Sequence, residues 1–164
     1  MDKKLPVIGV FFMALVFLHT PGFAQTKDTG ITIRQSVYFK VPPAQVYGIL
    51  LSSAEFSAST KKSFDMFTAN SANIDPVAGG TFSLFDGHIT GRILELVPNQ
   101  RIVEAWRVVD WPAGVWSIAR FDLSTEGTGT RLNFEHVGFP KGLKEHLSEG
   151  WQQHYWDAMT KYFQ

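Results

Sequence analysis

The sequence predicts an α+β fold, a curved antiparallel sheet gripping one long C-terminal helix. Three observations carry this. From Gly79 to Trp116 the chain reads as β segments with apolar residues at every second position, folded back at Asp86-Gly87 and Pro98-Asn99. From about Leu143 to Phe163 it carries a wide apolar stripe at 3.6-residue spacing. The order of elements is strand, two helices, a meander of strands and a closing helix, which places helices on one face of an antiparallel sheet. Asp-Gly between alternating runs is a strong hairpin signal, because a type I′ turn needs φ > 0 at both central residues.

The elements follow in order. Ile31 to Val41 alternates through Ile31, Ile33, Val37, Phe39 and Val41 and reads as the first strand. Pro42-Pro43 ends it, since proline cannot donate to a ladder yet suits the first turn of a helix. Ala44 to Leu51 is helical, with Val46, Tyr47, Leu50 and Leu51 at 3/4 spacing. Ser52 to Thr60 reads as a second short helix capped by Ser52 or Ser53. Ser63 to Ala69 is a weak strand and Asn70 to Gly80 a loop. After the hairpins, Val115 to Leu123 and Thr130 to Val137 are two more strands joined by a Gly-rich turn. The stripe of the last helix runs through Leu147, Trp151, His154, Tyr155, Ala158, Met159 and Tyr162. Trp156 falls opposite it, at an edge or against a partner. Gly150 costs about 1 kcal/mol relative to Ala in a helix, which close approach to the sheet or a bend would offset.

The first 24 residues are read apart from the fold. Lys3 and Lys4 precede an apolar run from Leu5 to Leu18, and Gly22-Phe23-Ala24 supplies small residues before Gln25. That is the layout of a secretory signal peptide, its core shorter than the roughly 20 residues of a transmembrane helix. The expected organisation is a signal peptide over 1–24, a flexible leader over 25–30 and one domain over 31–164. The expected location is outside the cytosol, periplasmic or secreted, with no stable membrane insertion after cleavage. A domain of that length buries about two-thirds of its unfolded surface. It therefore needs no disulfides, and the chain has no Cys. Charges balance at 15 Lys and Arg against 15 Asp and Glu, and no basic block is longer than Lys61-Lys62. Nucleic acid binding by phosphate neutralisation is not expected.

Candidate chemistry is sparse. His88, His136, His146 and His154 form no metal-ligand pattern, and His146 and His154 point about 80° apart on the helix. His136 shares a strand face with Leu132 and Phe134, where it is either a hydrogen-bonded core histidine or a group facing a cavity. If Pro98-Asn99 is a two-residue turn, Glu95 and Glu104 become diagonal neighbours on one face, about 7–8 Å apart. The same face carries Trp106, the other Arg92, Arg101 and Arg107, and alternation leaves open which is inward. No Ser-His-Asp arrangement, P-loop or dinucleotide fingerprint is present, and no cofactor is implied. The aromatic set of Phe82, Trp106, Trp116, Phe121, Phe134, Trp151 and Tyr155 lies on elements that converge between sheet and helix. Together with His136 these are the candidate cavity residues; either they line a pocket or they fill the core.

One family shares these features in sequence order. Gly79-Gly80, Phe82 to Phe85, Gly87 to Gly91, Glu95-Leu96, Pro98 and Ile102 to Arg107 match its pattern. Trp111 to Gly114, Gly129 to Leu132, Val137 to Pro140 and Gly150-Trp151 with Tyr155 continue it. The chain from Ile31 onward resembles the SRPBCC superfamily, the START-like helix-grip proteins. Within it, the chain is most similar to the family of the activator of the ninety-kilodalton heat-shock-protein ATPase. It departs at His136, where the family often carries Gln, and at Ser57 to Lys62, where a Trp often sits. The resemblance implies three classes of function. The first is an exported domain binding a small hydrophobic molecule between sheet and C-terminal helix. The second is a protein-interaction module like the chaperone activator, of unknown protein partner. The third is a cyclase-like enzyme using acid–base groups of the cavity.

Overall fold

The computed structural model describes residues 32–61 and 71–164. Strand β1 (Thr32–Phe39) leads into α1 (Pro43–Leu51) and α2 (Ser53–Thr60). The strands β2 (Asn73–Ile74), β3 (Thr81–Leu84), β4 (Ile89–Val97), β5 (Arg101–Val108), β6 (Ser117–Glu126) and β7 (Gly129–Val137) follow. The chain closes with a helix in three parts: α3 (Lys144–Gly150), a π-helical segment (Trp151–Trp156) and α4 (Asp157–Tyr162). This is the α+β arrangement expected from the sequence. The weak strand read at Ser63 to Ala69, the signal peptide and the leader lie outside the described residues.

One antiparallel sheet holds the strands in the order β1-β7-β6-β5-β4-β3-β2. The long connection from β1 through α1 and α2 takes the chain to the opposite edge at β2, and the meander back to β7 sets the first and last strands side by side. Its concave face carries the core, which α1, α2 and the C-terminal helix cover. Pro43 occupies the first turn of α1, and Ser52 Oγ accepts from the Glu55 amide to cap α2. The stretch read as a loop from Asn70 to Gly80 contains β2, tied down where the Ile74 amide donates to Ser53 Oγ at 2.8 Å.

The Asp86-Gly87 turn has the positive φ values its residues promise, 55° and 91°, and His88 N–H donates to Phe85 C=O at 3.1 Å. Phe85 precedes it at φ 52°, so the connection spans four residues and turns a fully buried ring inward. The second connection is three residues, since Val97 pairs with Arg101 and Asn99 takes φ 61°. A bulge between Ile93 and Glu95 adds a residue to β4. These two departures from a two-residue hairpin change which side chains share a face. Gly91 sits between Phe82 and Trp106 in register. A Cβ there would meet Phe82 Cζ at 2.1 Å and the Ala105 carbonyl at 2.3 Å, so glycine is what lets the Phe82 ring lie across β4.

Candidate functional site

The concave face collects seven of the eight cavity candidates. Phe82, Trp106, Phe121, Phe134, His136, Trp151 and Tyr155 are all buried. Trp116 is not among them: it is 46% exposed, and the Arg107 guanidinium lies over its ring at 5.5 Å. It precedes Ser117, the first residue of β6, and falls on the outward side of the alternation that buries Ser117 and Ala119.

His136 resolves as a core histidine with both ring nitrogens paired. Ser117 Oγ donates to the Trp106 carbonyl at 2.8 Å, which leaves that oxygen to accept from His136 Nε2–H at 2.7 Å. Nδ1 accepts from Trp151 Nε1–H at 3.0 Å. The chain of bonds links β5, β6, β7 and the C-terminal helix and requires the neutral imidazole. Burial depresses the His136 pKa to about 3, in agreement with that state.

The helix departs from the sequence reading at one place. The π segment adds a residue to the turn beginning at Trp151, so that Trp151, Tyr155 and Trp156 are all buried. Trp156, read as lying opposite the stripe, is fully buried and donates from Nε1 to Gln35 Oε1 at 2.7 Å. Gln35 in turn donates to the Ser148 carbonyl, fastening β1 to the helix. Downstream, Ala158 and Met159 are buried as read, but in the last turn Tyr162 is 45% exposed and Phe163 instead packs edge-on to Phe39 at 5.7 Å. Gly150 immediately precedes the π segment and is not in close contact with the sheet; a Cβ there would meet only His154 Cδ2 at 4.0 Å.

The paired carboxylates do not form. With the three-residue connection and the β4 bulge, Glu95 opposes Val103 and Glu104 opposes Ile93, on opposite faces. Glu95 is exposed beside Arg101 at 3.5 Å. Glu104 points inward with Ile102 and Trp106 and is 8% exposed. Burial raises its pKa to about 8, so at neutral pH the carboxyl is mostly protonated. Tyr155 is buried nearby, and its pKa is pushed well up by burial and then by the Glu104 charge. The Trp106 indole N–H lies near the Tyr155 hydroxyl and offsets part of the rise, but the approach falls short of hydrogen-bond geometry. Neither that hydroxyl nor Trp106 Nε1 makes a hydrogen bond. Each such buried orphan costs about 1–3 kcal/mol.

In front of these groups a cleft of about 250 Å³ opens between the β4–β5 hairpin and the helix. Ile89, Trp106, Val108, Leu147, Trp151 and Tyr155 form its apolar walls, with Gly150 at its side and His88, His146, Glu149, Gln153 and His154 at its polar edge. Three of the sequence candidates, Trp106, Trp151 and Tyr155, therefore line it. Phe82, Phe121, Phe134 and His136 pack behind it. Sequence reasoning missed Val108 and Ile89, whose alternation with Trp106 and Gly91 was the available signal. Among the described residues, no group of three or more His, Asp or Glu side chains is placed to hold one metal ion.

Comparison with known proteins agrees with the architecture. The family described as "Activator of Hsp90 ATPase homolog 1-like protein" matches residues 40–164. "Activator of 90 kDa heat shock protein ATPase homolog 1" of Mus musculus is 27% identical over 150 residues, covering 87% of this chain and 41% of that protein. The Homo sapiens protein of the same description is 27% identical over 133 residues, covering 81% of this chain and 36% of its own length. The chain thus spans less than half the length of these relatives. Among solved structures, an HSP90 activator from Plasmodium falciparum superposes with TM-score 0.69 at 25% identity, covering 77% of this chain and 91% of that one. A protein from Chromobacterium violaceum gives 0.63 at 26% identity, covering 80% and 96%. The fold is the START-like helix-grip fold.

Proposed function

The chain belongs to the Activator of Hsp90 ATPase homolog 1-like family, and we propose that it is an exported member that binds one small, largely apolar molecule in the cleft between β4–β5 and the C-terminal helix. The cleft carries the proposal: an aromatic concavity that opens against the core. Its volume, about 250 Å³, lies just below the roughly 300–1,000 Å³ of sites for drug-sized ligands, which suits a compound of one or two rings. Glu104, the buried acid, does not line the cleft, and the titratable groups that do, His88, His146, Glu149 and His154, stand at its edge beside the apolar walls. Export rests on the N-terminal sequence, with cleavage before Gln25; intact mass of the native protein tests it, and a retained Met1 in a membrane fraction would refute it.

A neutral fluorescent probe, N-phenyl-1-naphthylamine, tests the cleft. It should bind saturably to the wild type. Gly150→Leu should weaken that binding at least tenfold with an unfolding midpoint equal to or above that of the wild type, since residue 150 lines the cleft, is helical and has room for a side chain. Equal binding by both proteins would place the probe elsewhere and end the proposal.

A second reading is a protein-contact module. Its support is that relatives are described as activators of a chaperone ATPase. Addition of the purified protein to that ATPase separates the two readings. The ligand reading expects no change in ATP turnover, and a clear rise would favour the contact module.

A further inference from the structure

The inner end of the cleft wall holds an arrangement that the binding reading does not use. Trp106 contributes an indole N–H and Tyr155 a phenol O–H, both on residues more than nine-tenths buried, and neither meets an acceptor. The two side chains are also cleft-lining groups, so their apolar faces meet a ligand while their polar tips lie just behind the wall. Native cores rarely leave donors unmatched, and two on adjacent walls of one concavity call for an acceptor from outside the chain. Other tips nearby are already used: Trp151 Nε1 donates to His136 and Trp156 Nε1 to Gln35.

Resting on the binding reading above, we infer that the ligand is a small, flat, uncharged compound carrying one hydrogen-bond-accepting oxygen, an aryl ketone or ester, whose oxygen is taken by Trp106 Nε1–H and Tyr155 O–H. A flat compound suits the walls, where the rings of Trp106, Trp151 and Tyr155 pack on one another into one continuous aromatic lining. Absence of charge follows from the surroundings. No Lys or Arg lines the cleft to pair with an anionic oxygen, and a charge buried without a partner is costly. The tips are sealed from the cleft surface, so the oxygen reaches them only as Tyr155 shifts. Tyr155 stands in the π segment, where the wider helical turn interrupts regular α packing.

The test uses an isosteric pair, 2-acetylnaphthalene and 2-isopropenylnaphthalene, in which CH2 replaces the oxygen. Both are titrated by calorimetry into the wild type and into Tyr155→Phe, which removes one donor and keeps the ring. Comparing the ratio of the two Kd values between the two proteins cancels the ligands' own hydration. The wild type should favour the ketone about fivefold more than the variant does, the scale of one net hydrogen bond. The same ratio in both proteins would overturn the inference while leaving the cleft as a binding site. Failure of both ligands to bind the wild type would overturn it together with the binding reading.

Discussion

Two buried ionisable groups of opposite type set a stability profile in pH that can be worked from the structure. His136 is depressed from 6.5 to about 3 and Glu104 raised from 4.5 to about 8, each by burial. The unfolded chain protonates its histidine below 6.5 while the folded one stays neutral, so stability is lost as pH falls from about 6.5 towards 3. The unfolded chain ionises its glutamate above 4.5 while the folded one holds the proton, so stability is lost as pH rises from about 4.5 towards 8. Between about 4.5 and 6.5 the two slopes cancel. The expected profile rises to a plateau there and falls on either side, with about 2 kcal/mol on each shoulder at about 1.36 kcal/mol per pH step. Asp122 steepens the acid side. Burial pushes its carboxyl up, but hydrogen bonds from Arg101 and Arg120 bring it below the ordinary value. The alkaline shoulder belongs to Glu104. Urea unfolding followed by tryptophan emission should show the midpoint dropping by roughly 1 M between pH 6.5 and 8, for a slope of about 2 kcal/mol/M. Glu104→Gln, which keeps shape and removes the charge, should abolish that drop. A midpoint that holds steady or climbs from pH 6.5 to 8 in the wild type would refute the reasoning, as would an undiminished drop in the variant.

Tyr155→Phe removes a buried hydroxyl that has no partner, so stability should stay unchanged or rise by up to about 1 kcal/mol; a clear loss in denaturant titration would show that the hydroxyl is bonded. Trp151→Ala and Trp156→Ala should each cost about 3–5 kcal/mol, because the π segment buries both rings and both indoles hold hydrogen bonds. A small loss for Trp156→Ala alone would mean an uninterrupted α-helix in solution. Gly91→Ala should cost about 1–3 kcal/mol by forcing a Cβ against Phe82 and the Ala105 carbonyl, and a thermal midpoint equal to wild type would contradict the register of β3, β4 and β5.

The sequence carried the sheet well, because alternation and turn residues act locally. Asp86-Gly87, Pro42-Pro43 and the Ser52 cap each have a mechanism confined to a few residues, and each is found in place. What escaped was whatever shifts phase by one residue. The β4 bulge hides because Leu94 is apolar yet exposed, so an alternating reading runs through it unbroken. The consequence fell on Glu95 and Glu104, separated onto two faces. Which side faces inward stayed open in the sequence, because the alternating reading puts Glu95 and Glu104 on one face of the hairpin and Arg92, Arg101 and Arg107 on the other. Trp116 was misplaced because ring size says nothing of side, and its neighbour Ser117 takes the inward position. His136 was legible as to face through Leu132 and Phe134, but its two partners come from β6 and the helix, which no spacing along β7 can supply.

The π segment also changes what a difference in length means in this fold. A one-residue deletion within Trp151–Trp156 would leave every loop untouched and return the helix to a single α period. The final turns would then keep their present faces, Phe163 against Phe39 and Tyr162 towards solvent, because the deletion removes the one residue that the wider turn absorbs. A gap at this point in an alignment of relatives is therefore no trimming of a surface connection: it removes the wider turn beside the cleft and leaves the seal between the last turn and the first strand as it stands.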